Sequence, residues 1–357
     1  MASQIETFGK TDSQPLVSII VLNYNGAGWL PKCFGTIQNQ TIVRQIETIM
    51  VDNSSTDESV AVARDLLKNF PLARIVRNDS NLGFCEGNNS GARAATGRYL
   101  FFLNNDTWME PECMEQLIKG TEKLGAVAAT PYVLNYPDSS FQDFGFYGFD
   151  IFGLPSPSKP ETSSRNIFIP GGCSYLIRTD VFNLVGRFDG DFFIYSDDAD
   201  LAWRLTIAGH HAAGIFESKL HHRGAAGVNP AGGIETLEFR TTDKKRFLTN
   251  RNALLTILKN GQHILLLTVI PQVCLLFLET LVGCVILRRR SFFAASFLNP
   301  IADCWRMRAK IGEHRRAAAK FRKRSDFAML QFFRWKLNRW FEIKRLFRFG
   351  LPRVDAK

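Results

Sequence analysis

The chain has no Cys-x-x-Cys pair, no internal repeat, no Walker-type phosphate loop and no Gly-x-Gly-x-x-Gly turn. Each absence narrows the field. Its seven cysteines (Cys33, Cys85, Cys113, Cys173, Cys274, Cys284 and Cys304) are odd in number and scattered. That argues against a disulfide framework or a zinc ribbon, and for reduced thiols in a cytosolic compartment. The opening MASQIETFGKTDSQPLVS lacks a basic stretch ahead of an apolar core, so no secretory signal is expected. Acids are scarce at the other end. From Trp305 to Arg353 only Glu313, Asp326 and Glu342 stand against many Lys and Arg. The formal net charge of +10 is therefore concentrated after Arg288. A basic end of this kind meets nucleic acid, an anionic membrane surface or an acidic substrate.

What is present reads as a folded protein. The 357 residues are 45% hydrophobic and 22% charged, enough for a sizeable core. Residues 1–15 are polar and read as a flexible leader. Beyond them, apolar runs at 16–22 (LVSIIVL), 46–52 (IETIMVD), 73–77 and 99–103 (YLFFL) alternate with helical spacing at 27–39, 56–69, 83–95 and 110–124. Alternation of this kind predicts βαβ units and a mostly parallel α/β sheet, with ligands at the carboxyl ends of the strands. Three polar clusters follow three of the strands: Asn23–Tyr24–Asn25, Asp52–Asn53–Ser54 and Asn104–Asn105–Asp106. Residues 135–165, rich in Gly, Pro, Ser and Phe, read as a long irregular loop.

The chemistry-bearing candidates lie on or near that rim. Asp106 at a strand end suits a hard divalent cation, Mn2+ or Mg2+, bound to a diphosphate; it also suits a turn or a helix cap. Asp52 can accept hydrogen bonds from a base or ribose. The stretch NLGFCEGNNSG (81–91) can cradle phosphates with backbone N–H groups. Asp197, Asp198 and Asp200 are crowded carboxylates, and crowding raises a pKa toward general-base work. Asp197 and Asp198 point different ways on any regular element, so one of them faces a reacting hydroxyl. His221 and His222 follow a strand, and either imidazole can complete a metal shell.

Taken together, VSIIVLNYNG (17–26), IMVDNSSTDES (49–59), NLGFCEGNNSGARAATGRYLFFLNNDT (81–107), GGCSYLIRTDVFNLVGRFDGDFFIYSDDADLAWRLTIAG (171–209) and RNALLTILKN (251–260) resemble glycosyltransferase family 2, in its rhamnosyltransferase-like branch. The resemblance implies a GT-A fold over residues 16–260, a nucleotide-sugar donor and an inverting displacement. It implies that Asp52 contacts the base. Asp106 takes the metal contact where the family's first DxD acid reads Asn104. Asp198 is the catalytic base with Asp197 as its neighbouring acid, and His221 is the metal-proximal histidine, with His222 a close second. Gly172 then lies beside the sugar. Asn23, Asn25, Asn81, Gly83, Asn88 and Asn105 are further donor-binding candidates on the same rim.

Residues 261–357 read as a membrane-associated helical region. Ile264–Leu287 is long enough to cross a bilayer core, yet contains Pro271, Gln272 and Glu279. It spans, re-enters or lies at the interface; a buried core helix is the alternative. Residues 332–349 interleave Phe, Trp and Leu with Arg and Lys, as a helix on an anionic leaflet does. A nucleic-acid reader gains nothing from the apolar run, so nucleic acid is not expected as a partner. A glycan or lipid-linked acceptor at the cytoplasmic face of the membrane fits both features. A polyprenyl-phosphate sugar synthase and a non-catalytic scaffold are the competing readings.

Overall fold

The structure, a computed structural model, describes residues 4–10, 14–150, 155–224, 240–334 and 353–355. Gln4–Gly9 forms β1. The four apolar runs follow as β2 (Val17–Asn23), β3 (Ile46–Asp52), β4 (Leu72–Arg77) and β5 (Tyr99–Asn104). Between them lie α1 (Leu30–Gln38), α2 (Ser59–Leu67) and α3 (Gly83–Ala94); β6 (Thr107–Met109) and α4 (Cys113–Lys123) come next. β2 pairs parallel with β3 and β5, and β3 with β4, as the alternation predicts. The segment expected to be a loose leader departs from that reading. β1 adds an antiparallel edge to β4, and Arg64 clasps its Glu6 at 2.6 Å. Its polar sequence hides the strand because an edge strand keeps much of its surface in water.

The second half of the sheet is mixed. β7 (Ala128–Asn135), β8 (Phe141–Asp143), β9 (Phe146–Asp150), β10 (Pro155–Pro157), β11 (Arg165–Ile167) and β12 (Ser174–Arg178) precede α5 (Thr179–Leu184), α6 (Asp197–Ile207) and β13 (Ala212–His222). β12 runs antiparallel to both β5 and β7, whereas β13 runs parallel to β7. The stretch expected as irregular loop thus holds three short strands, one of which, β8, extends the main sheet.

The strand period of two sorts the core onto two faces. Ile19, Val21, Met50 and Phe101 pack with α1, α2 and α4; Ile20, Ile49, Val51 and Phe102 pack with α3, α5 and α6. α7 (Asp243–Asn260) joins the second face through Leu254 and Leu255. After it come α8 (Ile264–Leu267), α9 (Val269–Leu287), α10 (Ser291–Phe293), α11 (Asn299–Arg306) and α12 (Arg308–Phe321). The apolar run is therefore helical, with a mean hydropathy of 2.2 over its best window. Of the amphipathic helix expected at 332–349, Phe333–Arg334 pairs parallel with β9, and residues 335–349 lie outside the described residues.

Candidate active site

The register places Asn23 opposite Asp52, and Leu22 opposite Asn104, so three strand ends share one rim. The polar side chains there are already bonded to one another. Asn105 donates to Asn23 Oδ1 at 2.7 Å, and Asn23 donates to Ser55 Oγ at 3.3 Å. Asn25, at φ 50°, accepts from Thr56 N at 2.8 Å. The buried Asp52 carboxylate accepts from Ser55 N at 3.3 Å and keeps lone pairs for other donors.

A second knot holds the turn into α3. Asn53 donates to Asn81 Oδ1 (2.9 Å) and Gly83 O (3.1 Å), and its own oxygen accepts from Asn78 and Leu82 N. Gly83 has φ +79°, and a Cβ there would sit 2.6 Å from the Phe193 carbonyl oxygen. Glycine is thus needed on two counts. Asn88 bonds back to Phe84 O one turn earlier, inside its own helix. Asn53 was marked in the sequence only as a member of the polar cluster after β3, and Asn78 not at all.

Asp106 lies just past β5, next to the end of β13. His222 Nε2 is 3.3 Å from Asp106 Oδ1, whereas His221 Nε2 lies 3.6 Å from Glu110 Oε1. The preference for His221 beside Asp106 is therefore corrected to His222. Neighbours on a strand point to opposite faces, and β13 pairs with β6 in the register His222↔Thr107. His222 Nδ1 lies 2.9 Å from Gln142 Oε1. The amide oxygen there accepts a hydrogen bond from Nδ1–H, which leaves Nε2 as the atom aimed at Asp106. Burial opposes charge on this ring, but Cys173 and the Asp106 carboxylate outweigh it and lift His222 to about 10, so a cation binding at Nε2 must displace a proton there. One carboxylate and one imidazole nitrogen facing each other is a donor set that fits a divalent cation.

Next to this pair the second half of the sheet adds carboxylates. Asp143 stands at the end of β8, close enough to His222 to feel its charge. Burial pushes it up, backbone N–H groups of Gly145 and Phe144 pull it back, and the net direction is upward. A Cβ on Gly171 would meet Asp143 Oδ2, and one on Gly172 would lie 3.4 Å from Asp198 Oδ2. The Gly171–Gly172 turn thus bridges the two acids. Asp197 is buried and Asp198 half-buried. Both titrate above the usual carboxylate range. Burial is the main cause, reinforced at Asp197 by Asp198 and at Asp198 by Asp143. Asp143 was missed in the sequence because nothing periodic marks it within FQDFGF.

The segment leading into α6 is strained. Phe193, Tyr195 and Ser196 all have φ between 61° and 74°, a conformation costing on the order of 1–3 kcal/mol each for side chains of this kind. Asn252 on α7 holds it. Its amide NH2 donates to Phe192 O, Ile194 O and Tyr195 O at 2.9, 2.9 and 2.8 Å. α6 itself is pinned by Asp200, which takes Arg204 at 2.5 Å and Asn260 at 2.7 Å, all buried. Asp189, Asp191 and His314 also come together, but Lys259 bonds both aspartates and Lys310 lies 2.7 Å from Asp191. Two ammonium groups already balance that cluster, which makes it a structural ion-pair knot rather than a second cation site.

Known proteins resemble this chain in sequence and fold. Residues 18–186 match the family described as Glycosyl transferase family 2. The chain is 33% identical over 135 residues to the chondroitin synthase of Pasteurella multocida, covering 37% of this chain and 14% of that one. It is 27% identical over 230 residues to the O-antigen biosynthesis protein RfbC of Myxococcus xanthus, covering 59% and 18%. It thus spans less than a fifth of either relative. A crystal structure of GalNAc-T7 with UDP, GalNAc and Mn2+ superposes with a TM-score of 0.61 at 13% identity, covering 97% of this chain and 60% of that one. At that identity the likeness speaks for the fold, which is GT-A. Through residues 18–186, a little under half of its length, the chain is similar to glycosyltransferase family 2.

Proposed function

We propose that this chain transfers a sugar, with inversion, from a nucleotide-activated donor to the hydroxyl of a glycan or lipid-linked acceptor, in the building of a cell-surface polysaccharide. The observation that carries the reading is the run of neighbours from Asp52 through Asn23 and Asn105 to Asp106 and His222, and on through Asp143 and the Gly171–Gly172 turn to Asp198. One crevice then offers a place for a nucleotide, a place for a cation and a base.

In this mechanism Asp52 and the Asn23, Asn25, Asn105 cluster receive the nucleoside. The turn at Asn81–Gly83 and the start of α3, with Asn88, face the donor. Asp106 and His222 would hold Mn2+ or Mg2+, which stabilises negative charge on a departing diphosphate. Gly172 leaves room for the sugar beside Asp198. Asp198 accepts the acceptor hydroxyl's proton while that oxygen bonds the anomeric carbon and the carbon–phosphate-oxygen bond breaks. A raised pKa makes Asp198 a better proton acceptor than an ordinary carboxylate. Asp197, buried behind it, adds repulsion that keeps the pair's affinity for protons high. A single displacement needs no protein nucleophile, so inversion follows.

The GalNAc-T7 structure holds UDP and Mn2+, which supports a uridine donor as the first to test. Rhamnosyl donors follow from the branch resemblance. Purified chain incubated with UDP-, GDP- and dTDP-sugars and Mn2+ should release nucleoside diphosphate from one class. Asp198→Asn should abolish turnover and retain donor binding. No release with any donor, together with no metal-dependent nucleotide binding by calorimetry, would sink the reading in favour of a scaffold. The exposed apolar face of α9 favours a second reading, in which a polyprenyl phosphate is the acceptor. A phosphate needs no base, so full activity of Asp198→Asn would select it.

The same face supports a place at the membrane surface. An apolar helix pair with few buried residues and one exposed apolar side matches the burial expected of a lipid contact better than that of a core helix.

A further inference from the structure

We propose that α8–α9 does not cross the bilayer but lies flat in one leaflet of anionic phospholipid, as a fixed ledge of the catalytic domain. This rests on the membrane-surface reading above and says how that contact is made.

The first observation is the polarity of α9, which is reversed. Its exposed residues are Ile270, Pro271, Cys274, Phe277, Leu278, Leu281, Val282, Val285 and Ile286. They recur every three to four residues and so form one stripe. No charged or amide side chain falls on it. The polar members of the helix, Gln272, Glu279 and Thr280, turn toward the protein instead: Gln272 and Thr280 are buried, and Glu279 lies 3.6 Å from Arg246. A surface helix in water shows the opposite arrangement. Oil on the outer side explains it.

The second observation is how the chain enters and leaves. α9 runs antiparallel along α7. Near its end Arg289 pairs with Asp243 at the start of α7 (2.7 Å), and in its middle Glu279 meets Arg246. At the entry Asp326 accepts from Gln262, His263 and Leu265 N, and Leu265 is buried. After α9 the chain comes straight back. Asn250 donates to Ser296 O at 2.7 Å, Arg251 pairs with Asp303 at 3.0 Å, and Lys310 reaches Asp191 at 2.7 Å. The residues before α9 are thus tied to Asp326, and those after it are bonded back along α7 and to Asp191. Were α9, about 29 Å long, to span, it would put them on opposite sides of a core about 30 Å thick. It would also draw the buried Asn250, Arg251 and Asn252 of α7, with the loop they hold, into hydrocarbon.

Charge says which lipid. Arg288 and Arg290 are exposed at the end of the stripe. Trp305 is 70% exposed, is followed by exposed Arg306, and carries the guanidinium of exposed Arg308 over its ring at 5.3 Å. Tryptophan and arginine beside an apolar face are the residues that settle at headgroup level, and the cations favour acidic headgroups.

The test uses the full chain expressed in a bacterium, in a Cys274→Ser background, with a single new thiol at exposed Gln38 or exposed Ala309. Inverted inner-membrane vesicles are treated with an impermeant thiol reagent. A flat helix labels both Gln38→Cys and Ala309→Cys without detergent. Labelling of Gln38→Cys alone, with Ala309→Cys reached only after permeabilisation, overturns the proposal and leaves membrane binding standing. Absence of the chain from the vesicle fraction overturns both. As a second arm, purified Leu278→Glu/Val282→Glu should bind vesicles containing phosphatidylglycerol at least about tenfold less than the parent. It should bind nucleotide unchanged, since neither residue touches the crevice. Equal flotation of parent and variant would also overturn the assignment.

Discussion

The two halves of the sheet are built on different terms. From β2 to β5 the strands are parallel, the polar rim is a closed set of Asn, Ser and Asp hydrogen bonds, and Asp52 is satisfied by a backbone N–H. From β7 to β13 the strands are mixed. Three carboxylates titrate high, and three of the four residues 193–196 (Phe193, Tyr195 and Ser196) hold positive φ just before α6. The first half is rigid without any ligand, which suits holding a flat, repeatedly bound group. The second half stores repulsion and strain around Asp198, the proposed base, and leans on α7 to hold it.

Substitutions can break that contrast, and the largest effect belongs to the strained half. Asp198→Asn should lower turnover by about 10²–10⁴-fold, the usual worth of a positioned base, with donor affinity unchanged by calorimetry. The pH profile of the parent follows in sign. Asp198 acts as the carboxylate and its pKa is raised, so activity falls on acidification at a pH above that at which an ordinary aspartate protonates. An acid limb at the ordinary position would remove Asp198 from the role. Asp200→Ala should cost about 3–5 kcal/mol in denaturant unfolding, because it strands the buried Arg204 without its partner. A loss under about 1 kcal/mol would mean Arg204 finds water.

The metal pair gives an intermediate effect. His222→Ala should weaken Mn2+-dependent nucleotide binding by about 10–100-fold, while His221→Ala, on the opposite face, should leave it unchanged. Equal effects would return His221 to the site. The smallest change is expected at Asn252→Ala, which removes the clamp on Ile194 and Tyr195 and touches no substrate. It should reduce kcat by about tenfold with KM unaffected. A KM effect instead would place the residue in the binding half.

The same contrast explains what could be read in the sequence. The parallel half was legible because four β-branched and aromatic runs each end in a polar cluster, and local pattern alone fixes both strand and rim. The mixed half depends on long-range register. That two histidines end β13 is visible, but which one faces Asp106 turns on a one-residue phase that the β6 and β7 pairings set. Asp143 escaped notice because β8 is three residues long and its partner is distant. β1 escaped because an edge strand needs no apolar alternation. The polarity of α9 is written in its residues, yet its reversal appears only once α7 shows which side is inward.

α7 has one further consequence. Asn252 grips the approach to Asp198 from one side of this rod, while Arg246 and Asp243 grip α9 from another. With lipid against α9, the height of the base above the headgroups is set by a single stiff spacer, without a hinge. On the proposed reading, an acceptor would reach the crevice only if its free hydroxyl stood at a matching distance from its lipid anchor.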